Sequence, residues 1–251
     1  MSACQSTQIA APSTTELAST DAYALLREAE QAAPARAAEL RILAARVLVL
    51  NGADQQALDA LAAVQGAPLS QQQRDASARI AAAAYFSLGR SNDAEQAIGR
   101  ISQLSGEDLL LLAQICDDMG DYRCSADGYI QAELQAPAGA QWLPPDLHDR
   151  IWLALSRARS APNAFTDRDH HAWWLLQEQI RTAGSITAQL QAWRDWQARY
   201  PNHPARLEPP QALLNLSSYQ MPQIGLLLPL SGPFGAAGIA VRDGLIAAYL
   251  G

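Results

Sequence analysis

Cys116 and Cys124 stand eight residues apart, on either side of Gly120. If Gly120 marks a turn between two helices, the first cysteine lies near the end of one and the second near the start of the next. Paired helices bring such positions within disulfide reach. A bond there implies an oxidising compartment. The same two positions would equally suit two buried thiols packing as small apolar side chains. Beyond this pair, few residues are spaced for chemistry. The four histidines are His148, His170, His171 and His203. His170 and His171 are neighbours, so on a helix they point about 100° apart and cannot share a metal. No His-x-x-x-His or Cys-x-x-Cys spacing occurs, so no metal site and no cofactor are expected. Asp117 and Asp118 read as a solvated acidic pair at a helix end rather than as catalytic carboxylates. No catalytic residue is assigned, and an enzyme is not expected.

Composition narrows the classes further. The chain of 251 residues contains no lysine, which excludes a Walker-type phosphate loop and Schiff-base chemistry. Its net charge is −7 and it has no basic tract, which argues against nucleic acid as a partner. The remaining cysteine, Cys4, follows Met1-Ser2-Ala3. Small residues before an N-terminal cysteine resemble the end of a bacterial lipoprotein signal, with Cys4 as the lipid attachment point. The Gln, Ser, Thr and Pro residues that follow make a tether rather than a fold, so residues 1–19 form one segment. An ordinary exposed cysteine in such a tail is the alternative. The tryptophans Trp142, Trp152, Trp173, Trp174, Trp193 and Trp196 fall in the C-terminal half. They could form a sugar-stacking stripe or a core. Trp173 and Trp174 are adjacent on a helix and are expected to differ in exposure.

Helices must position all of these residues. Apolar periodicity predicts them at Thr20–Ala33, Ala35–Asn51, Asp54–Val64, Ser70–Leu88, Asn92–Leu104, Gly106–Met119, Tyr122–Gln135, Asp146–Ser160, Asp169–Ala183 and Ile186–Tyr200. The glycines Gly52, Gly89, Gly120 and Gly184 align with one another. Seven residues before them stand Ala45, Ala82, Ala113 and Gln177, and five after stand Ala57, Ala94, Ser125 and Gln189. Nine after stand Leu61, Ile98, Tyr129 and Trp193, and twelve after stand Val64, Ile101, Ala132 and Trp196. This is the column pattern of the tetratricopeptide repeat: a glycine where the chain turns back, small residues where two helices approach, and large ones between units. The spacing is loose, and Asp146–Ser160 reads as one helix of a degenerate unit. A generic antiparallel bundle with glycine at helix ends is the competing reading. The helical domain is placed at 20–204 and a proline-rich linker at 205–222.

The end of the chain changes character. Ile224–Leu230 is a short apolar run. It meets Ser231-Gly232 and then a helical pattern from about Phe234 to Leu250. Strand, tight turn and helix open an α/β domain, so residues 223–251 are expected to be the first unit of a second, truncated domain.

Three features together resemble the LpoA family of penicillin-binding protein activators. They are the run Ile224–Tyr249 (Ile-Gly-Leu-Leu-Leu-Pro-Leu-Ser-Gly-Pro-Phe-Gly onward), the segment Trp193-Arg-Asp-Trp-Gln-Ala-Arg-Tyr-Pro-Asn-His-Pro204, and the surroundings of Cys4. The resemblance implies an all-α array of tetratricopeptide-like repeats, followed by the start of a type 1 periplasmic-binding-protein-like domain. It implies a lipoprotein anchored to the outer membrane and facing the periplasm, which is not an enzyme. Its partner would be a bifunctional class A penicillin-binding protein, held mainly by the missing C-terminal domain, with peptidoglycan as a second candidate. No partner-contacting residue can be assigned from it. Two rival readings remain open. One is a solute-binding protein of the amino-acid type, because Pro229-Leu230-Ser231-Gly232 before a helix is similar to that superfamily. The other is a general peptide-binding tetratricopeptide scaffold.

Overall fold

The computed structural model describes residues 19–218 and 227–250. Cys4 lies outside the described residues. The chain divides into one unit that ends at Leu214 and a second that begins at Asn215.

The first unit is built of helices joined by short turns. They are α1 (Ala22–Gln31), α2 (Pro34–Leu50), α3 (Asp54–Ala62), α4 (Gln71–Ser87), α5 (Ser91–Ile98), α6 (Gly106–Asp118), α7 (Tyr122–Gln135), α8 (Leu147–Arg157), α9 (Arg168–Thr182) and α10 (Ile186–Arg199). Two shorter helices follow, α11 (Pro204–Leu207) and α12 (Gln211–Ser217). Local chemistry sets the starts. Ser70 and Ser105 each form a reciprocal cap with the residue three positions on. Asp21, Asp121, Asp167 and Ser185 accept from the first free backbone N–H groups of their helices. Each such cap stabilises its helix by about 1 kcal/mol.

Three of the turns share one construction. Gly52, Gly89 and Gly120 have φ of 73°, 70° and 77°, a region that L side chains rarely adopt. At each, the glycine N–H and the next N–H bond back to carbonyls in the last turn of the preceding helix. For Gly120 these are Gly120 to Asp117 at 3.0 Å and Asp121 to Cys116 at 2.9 Å. This is the Schellman ending, which satisfies the orphan carbonyls and reverses the chain in one residue. Gly184 is different. Helix α9 ends on Ala183 in extended conformation, and Gly184 is not among the left-handed glycines.

Successive helices pack on one another, and α4 also touches α2 and α6. Ala45, Ala82 and Ala113 are fully buried, as are Ala57, Ala94 and Ser125 from the facing helices. The larger residues Leu61, Ile98, Tyr129, Trp193, Val64, Ile101 and Trp196 fill the spaces between layers and are buried too. Helices α6 and α7 approach closely at Gly128. A Cβ added at Gly128 would sit 2.9 Å from the Cβ of Ala113.

Three expectations change. Trp173 and Trp174 are both buried, at 1% and 5% exposure. Helix α9 is covered on more than one side, and each indole N–H finds its own carboxylate: Trp173 reaches Glu133 at 3.3 Å and Trp174 reaches Asp127 at 3.0 Å. The stretch 205–222, read as linker from its prolines, is helical at α11 and α12 and buries Ala205 and Leu213. The proline at the start of α11 is compatible with a helix because the first turn needs no N–H there. The predicted strand Ile224–Leu230 falls partly on residues outside those described, and 227–230 form no strand. A strand exists only when paired, and no other strand occurs among the described residues.

The second unit contains α13 (Gly235–Leu250), close to the predicted helix. Gly232 turns the chain at φ 76°, and Gly238 lies against the Pro229 carbonyl so closely that any side chain there would collide with it. Ile239, Val241, Leu245 and Ile246 on α13 are exposed.

Candidate functional site

The predicted cysteine pair is joined. Cys116 near the end of α6 and Cys124 in the first turn of α7 form a disulfide with Cα atoms 5.8 Å apart. The bond spans the Gly120 turn and staples α6 to α7 at the end where the turn already joins them. Asp117 is exposed, while Asp118 accepts a hydrogen bond from the buried Ser91 hydroxyl of the preceding pair. The first two pairs are linked by the same device with the residues exchanged: Ser87 on α4 donates to the buried Asp54 of α3 at 2.6 Å. In both cases the residue two after a turn glycine meets the residue two before the next one. These links tie the turns of neighbouring pairs together along one edge.

The faces of α2, α4 and α6 line an open groove of about 560 Å³. Arg46 and Arg79 enter it from α2 and α4, Glu107 from α6, Gln135 from the end of α7, and Trp142 from the loop beyond. Arg79 is held in place by a two-pronged contact with Asp108, at 2.5 and 2.7 Å. Asp108 is 1% exposed and also accepts from the Ser105 N–H and hydroxyl. Burial opposes its charge, but the Arg79 guanidinium and the Ser105 donors prevail and hold the carboxyl below the usual Asp value. Trp142 packs on Gly106, where a Cβ would come within 2.7 Å of the ring. The groove thus offers two arginines, an acid and an amide from helices and an aromatic face from the loop beyond α7. That mixture suits a polar chain carrying both donors and acceptors.

A second polar group lies inside the C-terminal half. His148 on α8 faces Glu133 of α7 through Nε2 and the Glu208 carbonyl through Nδ1. Both partners are acceptors, so both ring nitrogens must carry hydrogen, and the imidazolium is the form that fits. Burial works against that charge, but the contact with Glu133 outweighs it and raises the His148 pKa above its ordinary value. His203 is the opposite case. Its Nδ1 accepts from the Ala205 N–H at 3.1 Å and its Nε2 donates to the Asp169 carbonyl at 3.1 Å, which requires the neutral ring. Burial lowers its pKa. The Trp173 ring stands between the two, edge-on to each. Nearby, His170 meets Asp127 at 2.9 Å, and the same carboxylate oxygen accepts from Trp174. These partners lie 15 to 60 residues apart in sequence. No local pattern announces them.

Among the described residues, no cluster of three or more His, Cys, Asp or Glu side chains is placed to hold a metal. No helix among them is long and apolar enough to cross a membrane. The tryptophans are spent mainly on packing: Trp193 stacks on Trp196, and Trp196 donates to the Ala172 carbonyl at 2.8 Å.

The chain is similar to two curated proteins named penicillin-binding protein activator LpoA. That of Mannheimia succiniciproducens is 29% identical over 81% of this chain and 37% of the relative. That of Aliivibrio fischeri is 31% identical over 52% of this chain and 23% of the relative. The chain therefore spans well under half the length of these relatives. Among solved structures, the E. coli LpoA amino-terminal domain is matched over its full length and 84% of this chain, at 20% identity and a TM-score of 0.57. Full-length LpoA of Haemophilus influenzae is matched over 92% of this chain and 46% of that one, at 23% identity and a TM-score of 0.50. At such identities the structural likeness speaks for the all-α fold. A family model described as LppC putative lipoprotein matches residues 16–251, nearly the whole sequence, and the chain belongs to that family.

Proposed function

We propose that the chain is part of a non-enzymatic regulator of peptidoglycan synthesis, an envelope lipoprotein that binds and activates a class A penicillin-binding protein. The observation that carries this reading is the extended similarity to relatives named penicillin-binding protein activators, 81% of the chain in one case. The described helices are consistent with it. They are tied pair to pair by the Asp54–Ser87 and Ser91–Asp118 links and by the Arg79–Asp108 contact. An array in which each layer depends on its neighbours is stiff as a whole, as a spacer must be. In this reading Cys4 carries the lipid and holds the protein at the periplasmic face of the outer membrane. The helical array supplies reach, residues 223–251 begin the domain that makes the main contact with the synthase, and peptidoglycan is a second partner. Activation then requires that the protein bind the active conformer of the synthase better than the inactive one, and the shift cannot exceed that difference.

The test is binding. A purified class A synthase is titrated with this chain extended to its relatives' full length, and separately with the chain alone. Micromolar or tighter binding of the extended protein supports the proposal. Absence of binding by the extended protein would overturn it. Incorporation of labelled fatty acid that disappears in Cys4→Ser checks the anchor separately.

A further inference from the structure

The Gly120 turn and the end of α8 enclose an open cavity of about 590 Å³. Arg123 enters it from the start of α7, Arg157 from the last residue of α8, and Arg159 from the loop that follows. All three are exposed and none forms an ion pair; other arginines among the described residues, such as Arg41, Arg100 and Arg194, are unpaired too, and what sets these three apart is that they line one cavity. The guanidinium of Arg157 lies over the Tyr122 ring, 5.3 Å from its centre, which orders it without neutralising it. One carboxylate, Asp121, also lines the cavity, and one of its oxygens is occupied by the Cys124 N–H. Met119 adds an exposed apolar surface. In a chain of net charge −7, three unneutralised arginines converging on one cavity are not explained by stability. Like charges gathered without partners repel, and an anion would relieve that repulsion.

We propose that this cavity is a binding site for an acidic peptide segment, one that presents two carboxylates and an apolar side chain. The lining selects among anions. The arginine forks match carboxylates and phosphates alike. The second oxygen of the exposed Asp121 can accept from a backbone N–H, which a peptide presents beside its carboxylates. Tyr122 and Met119 offer contact to an apolar side chain, and the volume is many times that of one small ion, a water occupying about 30 Å³. The Cys116–Cys124 disulfide fixes the turn that carries Tyr122 and Arg123, so the site is formed before its ligand arrives. The site stands on this geometry whether or not the chain serves a synthase.

The test uses the 251-residue protein with its disulfide intact, at low ionic strength. The probes are a fluorescent peptide Glu-Leu-Glu-Glu-Leu-Glu, its Gln-for-Glu counterpart, and inorganic phosphate as a competitor. The Glu peptide should bind and the Gln peptide should not. The double variant Arg123→Gln/Arg159→Gln should bind about tenfold more weakly, as expected for losing two partly exposed ion pairs. Arg194→Gln, an exposed arginine outside the cavity, should leave binding unchanged. Circular dichroism checks that both variants are folded. Equal binding of the two peptides, no loss in the double variant, or displacement by phosphate at concentrations as low as the peptide's own would each overturn the proposal.

Discussion

Gly128 offers a direct test of how closely the helix pairs are packed. A methyl group at this position would stand 2.9 Å from the Ala113 Cβ, 3.1 Å from its Cα and 3.2 Å from its nitrogen. None of these atoms can rotate away, so Gly128→Ala forces α6 and α7 apart. Overpacking of this kind costs about 1–3 kcal/mol. Replacing a helical glycine by alanine returns about 1 kcal/mol of propensity, so the net loss should be roughly 0–2 kcal/mol. Ala113→Gly loses about 1 kcal/mol of propensity and roughly 0.8 kcal/mol of buried methyl. Combining the two restores one alanine and one glycine and removes the shortest of the three contacts. The double variant should therefore be more stable than the sum of the single effects by about 1 kcal/mol. Urea unfolding without reductant measures all four proteins, and an unchanged m-value confirms that the midpoint reports stability. Additivity to within about 0.5 kcal/mol would mean that the two residues do not share a contact, and would refute the argument.

Other outcomes follow from the same structure. Cys116 and Cys124 should resist alkylation until reductant is added. Closing a loop with a separation of eight residues should stabilise the fold by about 2.5 kcal/mol, seen as a lower urea midpoint on reduction. Gly120→Ala should destabilise by about 1–2 kcal/mol, because φ of 77° is strained for alanine although space is free around it. Gly184→Ala should lack that penalty. The two buried histidines should give opposite pH responses. His148, raised in the fold, stabilises fully below the unfolded pKa of about 6.5, and that contribution is lost as pH rises through its folded value. His203, lowered in the fold, contributes stability above about pH 6.5 that is lost as pH falls towards its folded value. As pH rises, His148→Gln should therefore gain stability relative to wild type above about pH 6.5, and His203→Asn should lose stability relative to wild type as pH rises towards about 6.5. Slopes of the same sign in unfolding curves would contradict both assignments.

The sequence carries the helices because their signals are local. Ser70, Ser105, Asp121 and Ser185 announce starts, and Gly52, Gly89 and Gly120 announce ends, each through a bond to backbone within a few residues. It also places the buried columns, since Ala45, Ala82 and Ala113 recur at a fixed distance from those glycines. Gly184 shows the limit of the alignment: it has the right spacing but not the left-handed backbone. What stays hidden depends on distant partners. Trp173 and Trp174 are both buried because Glu133 and Asp127, 40 and 47 residues away, satisfy their indole N–H groups. Arg79 and Asp108 meet across 29 residues, and nothing in either segment marks the other. The linker reading failed at Ala205 and Leu213 for the same reason. The prolines suggested a linker there, while the Gln211 N–H is fixed by the Asp149 carboxylate on α8 at 2.6 Å.

Crosslinking of peptidoglycan by a purified class A penicillin-binding protein tests the proposed function most directly. It is measured with and without an equimolar amount of this chain extended to its relatives' full length, and again with the 251 residues alone. A rate that rises with the extended protein, and does not rise with the 251-residue chain, is the predicted result. An unchanged rate with the extended protein at saturating concentration would contradict the activator reading.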